Sequence, residues 1–352
     1  MANWGRNVIQ ILVLGAGLIG ARHAKSVQQH PACTLVGVVE PNPALHSDHS
    51  ISYYTDVADV AHPVQAAIIA TPTHLHAEHG IFAAQRGWAI LVEKPISESL
   101  EQAKALSDAV AKTGVASLVG HHRRYHAHVQ HLKHMIAAGD IGDPITATVI
   151  WAVRKPDGYF QENWRTTGGS PVMINLVHDV DILRYILGDV TEIRALGSAH
   201  IRNADRTESG AALMRFDNGA VAAISFADTA PSPWGFEAGT GENPHIAASH
   251  QDMMWITGTA GSVAFPSMTT WSGAQDWSES PKPKRLELPV TNPLAKQLDH
   301  FVEVVTRKST PLISVFDAAE TLKVTLQLEA QLSDEINYVK ARINKENQHA
   351  VR

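Results

Sequence analysis

Three consecutive residues, Glu93-Lys94-Pro95, have side chains and a position suited to chemistry. They follow an apolar run, residues 88–92, that predicts a buried strand, and they precede a predicted helix. A lysine at the carboxyl end of a parallel strand points into the crevice where doubly wound sheets bind ligands. The glutamate can hold the lysine ammonium, and the proline fixes the turn and is compatible with a cis peptide bond. Because such a triplet also occurs in plain turns, its meaning depends on the surrounding sequence.

A glycine-rich turn near the start of the chain predicts a dinucleotide site. Gly15-Ala16-Gly17-Leu18-Ile19-Gly20 lies between a predicted strand and a predicted helix, the context that the G-x-G-x-x-G pattern requires. The first glycine permits the tight turn, the second admits a pyrophosphate, and the third lets the helix pack on the strand. The helix N-terminus then offers free amides and partial positive charge to the phosphates.

Glu40 lies twenty residues after Gly20, at the end of the predicted second strand. A carboxylate there accepts hydrogen bonds from the ribose hydroxyls and repels a 2′-phosphate, so the sequence favours NAD, with NADP the lesser alternative. The competing interpretation of Glu40 is a solvated glutamate in a turn.

The loop after the fourth predicted strand reaches the same crevice. Thr71 and Pro72 are expected to line the nicotinamide side. For His74 and His76, a cofactor contact and a role at the helix surface both stay open.

Composition excludes several classes of protein. The chain has 352 residues, 44% hydrophobic and 18% charged, with a net charge of −6, which argues against a nucleic-acid binder. One cysteine, Cys33, rules out an intrachain disulfide and fits a reducing, cytoplasmic location. The apolar run from Val8 is too short for a membrane span and leads straight into the glycine-rich turn. We therefore expect no membrane association, and a small-molecule substrate.

The order of elements predicts an α/β protein with two domains. Strand and helix signals alternate over residues 1–122, which indicates a Rossmann domain with a doubly wound parallel sheet. Residues 123–352 carry many strands and little helix, which predicts an α+β domain with a mostly antiparallel sheet for substrate binding and oligomerisation. A final helix is predicted over about residues 317–336, with a frayed tail after it. Residues 231–244 are predicted to form a loop. This loop, with His245 directly after it, is a candidate lid.

The motifs together resemble the glucose–fructose oxidoreductase / inositol dehydrogenase (Gfo/Idh/MocA) family. The glycine-rich turn, the Thr71-Pro72…His76 loop and Glu93-Lys94-Pro95 are followed in the family's order by two further motifs, Gly120-His-His-Arg-Arg-Tyr125 and Gly168-Gly169…His178-Asp179-Val180-Asp181. The resemblance implies a large open sheet in the second domain and a homodimer or homotetramer formed through it. It also implies NAD-dependent oxidation or reduction of a secondary alcohol or ketone on a sugar, sugar acid, cyclitol or related carbocyclic diol.

The resemblance assigns catalytic roles to two residues. Lys94 would stabilise the alkoxide, and His178 would be the general acid–base, since an imidazole titrates near neutrality. The competing interpretation of His178 is a core histidine on the helix predicted over residues 172–187. Family members similar to inositol dehydrogenase carry an aspartate where this chain has Ile174, so inositol specificity does not transfer. Asn175 beside it can form hydrogen bonds but cannot act as a base.

Further polar residues are candidates for substrate binding. Arg123 corresponds to a family position beside the substrate, and Arg124 is expected to make a structural ion pair. The remaining candidates, each of which could equally serve packing or lie at the surface, are His122, Lys155, Tyr159, Trp164, Arg165 and Asn175.

Other functions stay open at this stage. His131 and His134 have a spacing that can bind zinc, but no cysteine accompanies them, so we predict no metal. One alternative is a family member that uses NAD transiently, of the epimerase or glycosidase type. Another is a non-catalytic, NAD-sensing regulator, which retention of Lys94 and His178 disfavours.

Overall fold

The computed structural model describes residues 8–46, 48–160, 170–202 and 206–350. Two compact units form. The first comprises the described residues up to His126 together with Thr291–Lys323, and the second comprises Ala127–Val290 and the residues from Val324 onward. The sequence places one boundary after residue 122, whereas residues 291–323 belong with the first unit.

The first unit contains a six-stranded, fully parallel sheet in the order β3-β2-β1-β4-β5-β6. Its strands are β1 (Ile9–Leu14), β2 (Cys33–Val39), β3 (Tyr53–Tyr54), β4 (Ala66–Ile69), β5 (Ala89–Val92) and β6 (Ser117–Val119). Its helices include α1 (Leu18–Gln29), α2 (His76–Gln85) and α3 (Leu100–Thr113). This is the predicted doubly wound fold, with the chain reversing direction across the sheet between β1 and β4.

The central strands of this sheet form because they are apolar throughout. Every residue of β4 and β5 is buried, as expected for a sheet covered on both faces. Such strands need no alternation of polar residues, so their carboxyl ends are the first positions where functional side chains can appear. The glycine-rich turn, the Thr71 loop and the Glu93-Lys94-Pro95 triplet all lie at these ends.

The second unit is built on a mixed, mostly antiparallel sheet that is nine-stranded in the described residues. Its strands are β7 (Pro144–Val153), β8 (Val190–Ser198), β9 (Ser209–Phe216), β10 (Val221–Ala227), β11 (Pro231–Trp234), β12 (Met254–Gly258), β13 (Gly261–Phe265), β14 (Thr269–Ser272) and β15 (Lys282–Arg285). The order is β15-β14-β13-β12-β7-β10-β9-β8, with β11 paired to β7 and a parallel pairing between β10 and β7. Both fold-class predictions are thus confirmed.

Helices cover one face of this sheet. They are α4 (Ala127–Ala137), α5 (Val177–Leu187), the short α6 (Phe236–Thr240) and the later part of α8 (Val315–Ala350); α7 (Pro293–Val305) belongs to the first unit. Alternate residues of β9 and β10 and apolar residues of α5 and α8 form one core, which includes Met214, Ile224, Leu183 and Leu328.

Several elements differ from the sequence predictions. The predicted loop 231–244 contains strand β11 and helix α6. Helix α7 has no counterpart among the predicted elements. The C-terminal helix extends to Ala350, beyond its predicted end near residue 336, and residues 340–348 are mostly helix formers such as Lys, Ala, Arg and Glu.

Candidate active site

The three glycines of the turn between β1 and α1 have different structural requirements. Gly15 has φ +97°, and a Cβ there would lie 2.5 Å from the Ala70 carbonyl oxygen. A Cβ on Gly20 would lie 2.1 Å from the Gly15 oxygen, whereas a Cβ on Gly17 would meet nothing within 4 Å. Gly15 and Gly20 therefore serve the packing of the turn, and Gly17 faces the open space that a phosphate requires.

Helix α1 begins directly after this turn. Gly17 is its N-cap residue, and no described side chain caps its first turn. Leu18 is 78% exposed and Ile19 is half-buried. Free amides at the helix N-terminus fit a pyrophosphate, because they supply donors and partial positive charge.

Glu40 is buried at the end of β2 and faces the glycine-rich turn. Its Oε2 accepts a hydrogen bond from the Ala16 amide at 2.9 Å, and its Oε1 accepts one from the Asn42 amide at 3.0 Å. The side chain is thus held in place, so it is not a freely solvated turn glutamate. Each carboxylate oxygen has a second lone pair that can accept from a ribose hydroxyl.

His76 connects two of the strand-end loops. It is buried at the start of α2, with Nδ1 2.8 Å from the Pro95 carbonyl oxygen and Nε2 2.8 Å from that of Thr71. Its burial contradicts the interpretation of a helix-surface residue. His74 and Pro72 are exposed beside it.

The Glu93-Lys94-Pro95 triplet lies at the carboxyl end of β5, as predicted, and its Lys94–Pro95 peptide bond is cis. The Glu93 carboxylate is buried, accepts from His23 Nε2 at 2.8 Å and accepts from the Lys94 amide at 3.1 Å. Burial acts to raise the pKa of Glu93, but the His23 hydrogen bond and the charges of His23, His122 and Lys94 outweigh it and lower that pKa to about 2. Glu93 is therefore a buried anion beside Lys94.

The segment after β6 brings further basic residues to the same sheet edge. Arg123 is buried and His122 is half-buried within a short 3-10 helix. Arg124 pairs with Asp317 at 2.6 Å and donates to the Leu312 carbonyl, which confirms its predicted structural role.

In the second unit, His178 lies in the first turn of α5 and is buried. Residues Val172–Leu176 before it form a π-helical turn, so the first part of the helix predicted over residues 172–187 does not have the regular α-helical period. The Asn175 Oδ1 atom is buried, and it has no hydrogen-bond partner among the described residues. π-turns are frequent at functional sites, and an unpaired buried oxygen is costly unless something else binds it.

Lys155 lies just after β7 and is buried between two aromatic rings. Its Nζ is 5.6 Å from the centre of the Trp151 ring and 5.0 Å from that of Tyr159, and no described residue accepts a hydrogen bond from it. Burial lowers the pKa of Lys155 to about 8, with Asp228 and Glu237 acting in the opposite direction. Nearby, Asp228 is paired with Arg202 and Arg206.

The remaining predicted residues have different outcomes. Trp164 and Arg165, like Gly168 and Gly169, lie outside the described residues. His245 is exposed, after helix α6. No group of three metal-binding side chains occurs in the part of the chain that the structure describes. Likewise, none of the helices in that part is both long and apolar enough to cross a membrane.

Two groups of residues escaped the sequence interpretation. The first is His23, whose signal was its place on the buried stripe of α1 with Gly20, Ala24 and Val27. A histidine on an otherwise apolar helix face needs a partner, and Glu93 provides it. The second is the Arg202–Arg206–Asp228 cluster, whose members lie too far apart in sequence to form a readable motif.

Two family models match the chain. The model described as an oxidoreductase family with an NAD-binding Rossmann fold matches residues 9–121, and the GFO/IDH/MocA C-terminal domain model matches residues 129–264. Among curated proteins, the scyllo-inositol 2-dehydrogenase (NAD(+)) of Bacillus subtilis (strain 168) is 29% identical over 343 residues, covering 90% of this chain and 92% of the relative.

Solved structures show the same fold. A UDP-N-acetylglucosamine 3-dehydrogenase from Acidithiobacillus ferrooxidans superposes with a TM-score of 0.76 at 21% identity, over 93% of this chain and 98% of that one. An oxidoreductase from Agrobacterium radiobacter, solved with NAD+, L-tartaric acid and magnesium, has a TM-score of 0.79 at 15% identity, over 92% and 96%. With matching models over both domains and a curated relative along nearly its whole length, the chain belongs to the Gfo/Idh/MocA family of NAD-binding oxidoreductases.

Proposed function

We propose that the protein is an NAD-dependent dehydrogenase that acts on a secondary alcohol of a sugar, sugar acid, cyclitol or related carbocyclic diol. Bound NAD supplies the hydride acceptor. Gly17 and the α1 N-terminus hold its pyrophosphate, and Glu40 binds its adenosine ribose. The buried carboxylate of Glu40 repels a 2′-phosphate, which supports NAD over NADP.

The observation that carries this proposal is the placement of Lys94. The lysine is the second residue after β5 and is flanked by a buried anion, Glu93, at the carboxyl end of the strands, where ligands bind. A cationic ammonium stabilises the negative charge that develops on the substrate oxygen as the hydroxyl proton leaves.

His178 is proposed to exchange that hydroxyl proton. Its buried position on α5, directly after the π-turn, supports this role, because an imidazole both accepts and returns a proton near neutral pH. Asn175 on the π-turn offers a buried oxygen as acceptor for a second substrate hydroxyl.

The test begins with a panel of compounds incubated with NAD or NADP while reduced cofactor is followed. The panel contains scyllo- and myo-inositol, aldoses, sugar acids and dihydrodiols. Accumulation of NADH with at least one compound is expected. Product formation without net NADH would instead support transient use of NAD, and tight NAD binding without any turnover would support a regulator.

Variants then test the lysine. We expect Lys94→Ala to keep NAD affinity and to lose turnover by roughly 100- to 1,000-fold, because the stabilising charge is removed. Lys112→Ala, at an exposed position near the end of α3, is the matched control. Unchanged turnover in Lys94→Ala would refute the mechanism.

We also propose a homodimer or homotetramer formed through the sheet of the second unit. Leu213 on β9 and Leu196 on β8 are 52% and 67% exposed, and both belong to the strand face opposite the one that contributes to the core. Large apolar residues exposed together on a sheet face are typical of an interface.

A further inference from the structure

Both residues that flank Lys94 are held by buried histidines. His23 comes from α1 and His76 from the start of α2, and each side chain is 2% exposed. Neither histidine has a role in the proposed chemistry itself. Their partners, however, are the side chain of Glu93 on one side of Lys94 and the backbone of Pro95 on the other.

On the N-terminal side, His23 fixes the orientation of the Glu93 side chain. His23 Nε2 donates to Oε1 at 2.8 Å, which leaves Oε2 to accept from the Lys94 amide at 3.1 Å. Gly120 closes the third side, because a Cβ there would lie 2.7 Å from the Glu93 carboxyl carbon. The carboxylate is thus confined by α1, by β5 and by the segment after β6.

On the C-terminal side, His76 holds the backbone. One imidazole lies between the carbonyl oxygens of Pro95 and Thr71, at 2.8 Å from each. A carbonyl can only accept, and burial lowers the pKa of His76, so the neutral ring near pH 7 has one N–H and donates to one of the two carbonyls at a time. The ring therefore lies between the loop after β5 and the loop after β4 and can donate to either.

We propose that His23 and His76 are positioning residues: His23 holds the Glu93 carboxylate on one side of Lys94 and His76 holds the Pro95 backbone on the other, so that the Lys94 ammonium meets the substrate oxygen in the reactive geometry. This inference rests on the proposed role of Lys94. Misplacement of a catalytic group by about 1 Å can cost roughly 100-fold in rate, so two rigid anchors have a kinetic effect without touching the substrate.

Matched pairs of variants test the proposal. His23→Leu and His76→Leu remove the donors, whereas His23→Gln and His76→Gln keep an amide donor near the position of Nε2. His62→Leu, at an exposed position away from these loops, is the control. We expect each leucine variant to lower kcat by about 10- to 100-fold with the Kd for NAD within about 2-fold, and the glutamine variant at position 23 to recover most of the loss.

A second measurement does not depend on turnover. Amide hydrogen exchange of the peptide spanning residues 93–97 should be faster by about 10-fold or more in both leucine variants and unchanged in His62→Leu, because the local hydrogen bonds open more often. Should His23→Leu not fold, His23→Asn replaces it, since its shorter amide does not reach Glu93.

The outcomes separate this inference from the proposed function. If Lys94→Ala abolishes turnover but both leucine variants match His62→Leu in kcat or in exchange, the positioning role is wrong and the dehydrogenase proposal stands. If no compound is turned over, or Lys94→Ala is fully active, the proposed function fails. Faster exchange in the leucine variants would then still support the anchoring of residues 93–97, and unchanged exchange would overturn it.

Discussion

The Glu93 carboxylate makes a contribution to the free energy of unfolding that depends on pH. Its pKa is lowered from 4.5 to about 2 in the folded protein, so its stabilising effect is complete above pH 4.5 and is lost as the pH falls toward 2. At 1.36 kcal/mol per pKa unit, the contribution is about 3 kcal/mol. Urea unfolding across pH 2–7 should therefore show a steeper acid loss for the natural protein than for Glu93→Gln. Parallel curves for the two proteins would contradict this account of Glu93.

Lys155 is the residue at which substrate charge can be tested. A buried ammonium between two rings, with no described acceptor, gains most from an anionic group on a ligand. We expect Lys155→Met to raise KM for a sugar acid by about 10- to 100-fold and to change KM for a neutral polyol by much less. Initial rates measured with one sugar acid and one neutral polyol give the two KM values. An equal rise for both would assign Lys155 to packing.

Glu40 offers a separate test of cofactor choice. Replacing it with Ser removes the charge that repels a 2′-phosphate, so NAD should bind more weakly and NADP more tightly than in the natural protein. Fluorescence titration with the two reduced cofactors measures both changes. A variant with an unaltered NAD-to-NADP ratio would show that Glu40 only braces the glycine-rich turn through its bond to the Ala16 amide.

At the level of elements, the π-turn before α5 carries a buried polar group that lowers the stability of the fold. Asn175 places a buried oxygen on this turn without a hydrogen-bond partner among the described residues, which costs about 1–3 kcal/mol. Asn175→Leu should therefore raise the melting temperature and lower turnover, the pattern expected of a residue kept for function. Calorimetry and steady-state rates on the same preparation check both. A variant that loses stability would show that Asn175 serves the fold.

The elements that sequence predicted well are those with a strong local pattern. The buried strands of the first unit were evident from continuous apolar runs, and the glycine-rich turn, Glu40 and the triplet at β5 followed from their places at strand ends. Strand β15 is exposed along its whole length, so it has no alternation of apolar and polar residues from which it could be predicted. Strand β3 has only two residues, which are too few to form a pattern. The π-turn could not be predicted, because pattern analysis of a sequence assumes the regular helical period.

Helix α7 is a different kind of omission, because its signals were present. Asn292 caps it and Pro293 stands in its first turn, and Leu298 and Phe301 lie on one buried face. The buried pairing of His23 with Glu93 could not be read in the same way. It joins residues 70 positions apart, and only the packing of α1 on the sheet brings them together.

For the molecule as a whole, the proposed assembly through the second unit's sheet can be tested without a substrate. Leu213→Arg places a charge among exposed apolar residues, so it should shift the protein toward monomer by disfavouring burial of that face. Light scattering coupled to size exclusion measures the mass. Ser272→Arg, at an exposed position on β14, is the control, and an identical mass for all three proteins would exclude the face as the interface.

The first unit is assembled from two separate stretches of chain. Helix α7, from the second stretch, inserts Phe301 into its interior, and Gln297 donates to the Val119 carbonyl at the end of β6. On the ribosome, the nucleotide-binding sheet is therefore made first, but the unit that contains it is completed late, after more than 160 intervening residues have emerged. Until then its β6 edge lacks a cover. A nascent chain stalled before residue 291 would expose an apolar surface that chaperones bind, and cofactor could add its stabilising effect only near the end of synthesis.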